Sequence, residues 1–269
     1  MATLNFHVRH EVNPERVWNV LDALVNGVEY DHITQYDRQI SRLRQLKLVT
    51  GKGDISPTED GMELHRIGTK RLEVAWEIMH YLHYARWRAS HPTEDTMFFT
   101  YREYCDLLFN KRETEISHQR DTFAAEMTSL VTSSSYFSEE IATLTKGAVS
   151  LSGNSLIGVE HWLSKLSSEV ITSDGKFTLR HYCPPELLLL ALGYMTELTE
   201  AQLGLDQPLT LERREILCRV CLIQDESLDQ MLDWLFPEYP DLIQPGTTTG
   251  SYGRFVRVLR LPTLKELLR

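Results

Sequence analysis

The chain has 269 residues, 42% of them hydrophobic and 25% charged, enough for one large domain or two to three small ones and too ordered in composition for wholesale disorder. The formal net charge of −10 argues against a protein that coats nucleic acid indiscriminately. The opening MATLNFHVRHEV carries His7, Arg9 and His10 and no apolar core, so no ordinary signal peptide is expected, and no run approaches the ~20 apolar residues of a membrane span. Four cysteines, at 105, 183, 218 and 221, fit reduced thiols and a cytoplasmic location. The charge is uneven. Residues 1–72 hold ten Lys/Arg and ten Asp/Glu, so the whole excess of acid lies in 73–269, and any nucleic-acid contact belongs in the N-terminal third.

In chain order, Asn13-Pro14 caps and starts a helix whose Val17, Val20, Leu21, Leu24 and Val25 share one face, ending at Asn26-Gly27. A short apolar stretch, VEYDHI, follows. Thr34 caps a second helix with Tyr36, Ile40, Leu43 and Leu46 as its buried side. Leu46, Leu48 and Val49, then Gly51-Lys52-Gly53, then Ile55 and Ser56-Pro57 read as a hairpin. Thr58, followed by Glu59, Asp60 and Glu63, opens another helix. Residues 72–90 predict a long helix with Trp76, Met79, Tyr81, Leu82, Tyr84 and Trp87 around most of its circumference, hence central, stopped by His91-Pro92. Helices are expected over 95–109 and 115–131. The Ser/Thr/Gly-rich 132–155 is the expected boundary or long loop. Further helices are expected at 155–168, 184–198, 210–223 and 226–236. The close, DLIQPGTTTGSYGRFVRVLRLP, reads as two strands around a loop, with Phe255, Val256, Val258 and Leu259 alternating.

The segment LRQLKLVTGKGDISPTEDGMEL resembles the winged-helix superfamily. The step from recognition helix to wing falls at Leu43, Leu46 and Leu48-Val49, and the return at Thr58-Glu59-Asp60-Gly61. The resemblance covers about 50 residues and implies a helix that enters a major groove, with a wing on the adjoining backbone. The helix carries Arg38, Gln39, Arg42, Arg44 and Gln45 off its apolar face, and Lys47 and Lys52 continue the strip. From 38 to 52 there are five basic residues and no acid. Arginine pairs bidentately with guanine or phosphate, and glutamine with adenine. These seven are the expected contacts to double-stranded DNA.

The chain also resembles, more loosely, an uncharacterised prokaryotic family encoded near DNA phosphorothioation and phage-defence genes. The matching features are Arg9-His10-Glu11 with Trp18, then Trp76, His80, Tyr81 and Phe98-Phe99-Thr100-Tyr101. They continue with Pro185 to Leu192 and Gly253-Arg254-Phe255. The family's glycine-proline turn is replaced here by Ser251-Tyr252-Gly253. This resemblance implies an accessory role in defence and carries over no catalytic residue.

The expected fold is mainly α. It has a winged-helix module at 1–72, a helical middle at 73–150, and a helical region at 151–269 that ends in a hairpin as a second winged-helix-like unit. The expected function is DNA binding without catalysis, antiviral and accessory, with protein partners of a larger complex and neither membrane nor cofactor. A protein-interaction scaffold is the alternative. A metal or thiol centre would have to use Cys218-Arg219-Val220-Cys221, with His181 and Cys183, or His80 and His83. The C-x-x-C lacks a second pair, and core or interface histidines explain 80 and 83 better.

Overall fold

The structure, a computed structural model, describes residues 4–28, 34–138, 149, 151–246 and 253–267. Most of VEYDHI, positions 139–148 and 150 of the expected linker, and 247–252 of the C-terminal loop lie outside the described residues. The described chain is mainly helical, with small antiparallel sheets.

Helix α1 (Pro14–Val25) begins as its sequence predicts: the Asn13 side chain accepts the Arg16 amide hydrogen bond, and proline fills the first turn. A 3-10 turn (Thr34–Tyr36) leads into α2 (Asp37–Gln45), then β1 (Val49–Thr50) and β2 (Ser56–Pro57), paired antiparallel with Val49 opposite Pro57. Gly51, at φ +91°, makes the turn between them. The Thr58 side chain caps α3 (Glu59–Lys70) by accepting the Gly61 amide. Gly61 has a packing reason as well: a Cβ there would lie 2.0 Å from the Leu48 carbonyl oxygen. The "threonine-x-x-glycine" step thus joins the helix cap to the hairpin backbone.

Helix α4 (Leu72–Arg86) is central, as its aromatic circumference predicts. It packs against α3, α5 (Thr96–Lys111), α7 (Gly153–Leu163) and α8 (Pro185–Leu198). It stops four residues before the predicted end. Trp87 is extended, its indole N–H donates to the Pro92 carbonyl at 3.0 Å, and the Arg102 guanidinium sits 4.4 Å over its ring. Strand β3 (Glu113–Glu115) pairs with β4 (Lys176–Thr178), Thr114 opposite Phe177, on either side of α6 (Ile116–Ser133). Neither strand is predicted; at three residues each, they are too short to show a period. The predicted helix over 155–168 ends at Leu163, because the Ser167 amide and hydroxyl both turn to donate to the Glu77 carboxylate.

The C-terminal order is α8, β5 (Asp206–Pro208), α9 (Leu211–Cys221), α10 (Asp225–Glu238), β6 (Ile243–Pro245) and β7 (Phe255–Val258), closed by a 3-10 turn (Leu264–Leu267). The two predicted strands pair, and the unpredicted β5 joins β7 from the other side, giving sheet order β5-β7-β6. One apolar core runs from Phe6 to Leu267 through all three predicted segments. Among the described residues, no helix is long and apolar enough to cross a membrane.

Candidate nucleic-acid interface

Helix α2 is short and strongly two-sided, with Ile40, Leu43 and, just past its end, Leu46 turned inward as predicted. The seven residues assigned to DNA do not form one open surface. Arg42 and Gln39 have to be withdrawn from it, because both are buried. The Gln39 side-chain amide donates to the Glu11 carbonyl at 3.0 Å, tying α2 to the N-terminal segment. The Arg42 guanidinium points into the core, donates to His83 Nε2 at 3.0 Å, reaches the Met97 sulfur and lies 5.7 Å over the Phe98 ring. On a helix of nine residues packed on two sides, the four-residue spacing of Arg38 and Arg42 does not keep both on the solvent face.

The others are divided. Arg38 is exposed but held by Glu11 at 2.5 Å, and this contact lowers the Glu11 carboxyl below its usual range. Arg44 is half-buried; its Nε–H donates to the Gly51 carbonyl at 2.9 Å and a second nitrogen reaches the Lys52 carbonyl, so it braces the hairpin turn from behind. Gln45 is half-buried. Lys47 and Lys52 are exposed, and Lys47 stands near enough to Asp60 to counter the upward push on its carboxyl. The strip that is acid-free in sequence therefore meets Glu11 and Asp60 in space.

The burial of Arg42 makes a sharp stability prediction. Arg42→Ala should cost about 2–4 kcal/mol, the range for a large side chain removed from a packed site. Arg38→Ala should stay within about 0.5 kcal/mol, as surface changes do. Urea melts of the two variants check this; equal midpoints would mean that Arg42 faces water.

Behind α2 lies a polar network inside the core. The carbonyls of Val220 and Met79 fix the tautomers of the two histidines. His80 Nε2–H donates to Val220 at 2.9 Å, leaving Nδ1 to accept from the Tyr101 hydroxyl. His83 Nδ1–H donates to Met79 at 2.7 Å, leaving Nε2 to accept from Arg42. Burial pushes the His80 imidazole down to about 4 and His83 well below its ordinary value, with the Arg42 charge adding to the latter. Alongside them, Arg180 meets Glu77 through two hydrogen bonds of 2.7 and 2.8 Å, both side chains fully enclosed. Arg180 also donates to the carbonyls of Cys221 and Ser167. Sequence reading takes His80 and His83 as core or interface residues, and misses Glu77, Arg180, Gln39 and Arg42 as members of the same interior. The available signal was a carboxylate, Glu77, three positions before His80 in the aromatic middle of the helix.

The chemical alternatives gain little. All four cysteines are free and buried. Burial raises the Cys105 and Cys221 thiols and pushes Cys218 up to about 12, opposite to the shift that makes a nucleophile. Among the described residues, no group of three or more His, Cys, Asp or Glu side chains could hold a metal ion. A cleft of about 580 Å³ opens where β4 meets the start of α10, and its wall mixes Arg112 and His181 with Glu113, Glu169 and Glu226.

A different surface stands out at the other end. On α10, Leu228, Met231, Leu232, Leu235 and Phe236 are buried, which leaves Trp234 half exposed, beside the exposed Tyr182. The ring centroids are 6.3 Å apart. The sequence carries this signal, because position 234 falls off the apolar spacing of its helix.

No protein-family model, no curated protein and no solved structure matches the chain.

Proposed function

We propose that this chain is a non-catalytic interaction component with winged-helix-like units at both ends, and that it works by binding proteins. The N-terminal order of helix, 3-10 turn, helix, hairpin and helix supports the first unit, together with the Thr58–Gly61 step against Leu48. The helix–strand–helix–helix–hairpin order with sheet β5-β7-β6 supports the second. The observation that carries the choice of protein over DNA is the inward turn of Arg42 and Gln39. A groove-reading helix needs those positions outside, since sequence is read by side chains that reach base edges. The corresponding helix of the second unit, α10, is acidic and would be repelled by phosphate. The likeness to a family encoded beside phosphorothioation and phage-defence genes supports an accessory place in such a system. Four buried thiols fit a reducing cytoplasm.

Double-stranded DNA remains a second reading, favoured by the exposure of Arg38, Lys47 and Lys52 around the first hairpin. One experiment separates the two. The full chain is titrated with a roughly 20-base-pair duplex at about 50 and 200 mM salt, beside a triple alanine variant at 38, 47 and 52. In parallel, the tagged chain at native expression level is sized in extracts. The protein reading expects a discrete complex larger than the chain, and at most weak, salt-sensitive DNA binding. Tight duplex binding that the triple variant abolishes, with the chain running alone in extracts, would replace it with the DNA reading.

A further inference from the structure

The exposed aromatic pair at the C-terminal end lies in an acidic frame. Residues 225–241 contain Asp225, Glu226, Asp229, Asp233, Glu238 and Asp241, and no lysine, arginine or histidine. Their placement follows from the helix period. Glu226, Gln230, Trp234 and Glu238 recur every four residues along the solvent side of α10, and Asp225, Asp229 and Asp233 form the neighbouring row. Two arginines from elsewhere reach that second row: Arg214 contacts Asp225 and Asp229 at 2.8 and 2.9 Å, and Arg254 contacts Asp229 and Asp233. Both approach from the body of the unit and leave the outer oxygens in water; Asp233 is 66% exposed. Arg71 also stands near Tyr182, where it is engaged by Glu73 and Glu186. Trp234, 50% exposed, belongs to the first of these rows, and Tyr182, 38% exposed, stands beside it.

From this juxtaposition we infer that the Trp234–Tyr182 face of α10 is a docking surface for an arginine-bearing segment of a partner protein. The inference rests on the protein-interaction reading and names its surface and the chemistry of its partner. Large aromatics left in water on a helix face are the residues that anchor interfaces. A guanidinium is the group that satisfies both features at once. It stacks on an indole or phenol ring, and its fork of N–H groups pairs with a carboxylate beside the ring. A duplex would bring phosphates against the five carboxylates of α10. A second copy of the chain docking through the same face would bring the two acidic frames together. The surplus of acid therefore selects a cationic partner, and the rings select arginine over lysine.

The test uses the full chain and a labelled peptide of about 12 residues alternating arginine and leucine, with a lysine peptide of equal charge for comparison. Binding is read by fluorescence anisotropy and by the five tryptophan indole N–H signals. The variants are Trp234→Ala, and Glu226→Lys with Gln230→Lys; all three positions are exposed, and far-UV circular dichroism checks that each variant folds. Saturable binding is expected, stronger for the arginine peptide, weakened at least about tenfold in both variants. Only one indole signal should move. Binding that the variants leave unchanged, equal binding of the lysine peptide, or no binding overturns the inference. So does a concentration-dependent dimer abolished by Trp234→Ala, which would identify a second copy as occupant. Sizing in extracts keeps the two readings apart. If wild type and Trp234→Ala both run in the large complex, this face is wrong and the protein-interaction reading stands. If wild type runs alone, that reading has failed as well.

Discussion

Arg180→Ala is expected to lower the stability of the chain by about 3–5 kcal/mol. The reason is what would be left behind. Glu77 is fully enclosed on α4, and its two oxygens accept from Arg180, with Ser167 supplying an amide and a hydroxyl to one of them. Remove the guanidinium and a carboxylate stays buried with Ser167 alone, while the carbonyls of Cys221 and Ser167 lose a donor. A domain of this kind holds only about 5–15 kcal/mol in reserve, so the variant should approach unfolding at physiological temperature. The pair need not be stabilising in itself, since taking two charges out of water costs nearly what their attraction returns. The double variant Glu77→Leu/Arg180→Leu should therefore lose clearly less than the two single losses added together. Urea midpoints for the four chains of the cycle measure the coupling. Additive losses would mean that the pair is hydrated and that its enclosure is wrong. Because Glu77 sits on α4 and Arg180 beyond β4, the pair joins the helical middle to the C-terminal region, and the variant should loosen that junction first.

The sequence was most legible where local chemistry acts alone. Asn13 and Thr58 cap their helices, Pro14 sits in a first turn, and Gly51 turns the hairpin, each for a reason contained within four residues. The central place of α4 was legible because its aromatics leave no solvent face. What stayed hidden depends on partners distant in the chain. Strands β3, β4 and β5 exist because Thr114 meets Phe177 and Gln207 meets Val256, and three residues cannot announce a pairing of that separation. The candidate site failed in the same way. Arg38 and Arg42 share a helix face by spacing, yet which part of that face meets solvent is decided by His83, Met97 and Phe98 on α4 and α5. A local absence of acid between 38 and 52 likewise said nothing of Glu11 and Asp60. Trp234 shows the converse. Its exposure was written in the period of α10, but a tryptophan reads as core until the neighbouring positions are assigned.

The interior of the same region sets a second large effect, on the dependence of stability on acid. His80 ordinarily titrates at 6.5 and is pushed down to about 4 by burial. Between those values the unfolded chain takes up a proton that the folded chain refuses, so stability falls as pH falls. The contribution of the neutral imidazole is whole above about pH 6.5 and drains away through that window, by about 3 kcal/mol for His80 by the time pH 4 is reached. His83 acts in the same direction, because burial and then the neighbouring Arg42 guanidinium disfavour its protonated form. Asp106 acts against them. Burial raises its carboxyl to about 6, so over roughly the same range it is the folded chain that holds the extra proton, and acid favours folding. The acid limb of the whole chain is then a poor probe of the histidines, whereas a difference between two chains cancels Asp106. In His80→Gln the side-chain amide can still donate toward Val220 but does not titrate. Wild type should exceed this variant by the most at pH 7, and the gap should shrink by about 2–3 kcal/mol at pH 4.5. Urea midpoints at the two values measure it, and imidazole signals in heteronuclear spectra give an independent reading. A gap that holds constant with pH, or a His80 signal that titrates near 6.5, would mean that water reaches the ring. The enclosed network under α2, and with it the inward place of Arg42, would then have to be redrawn.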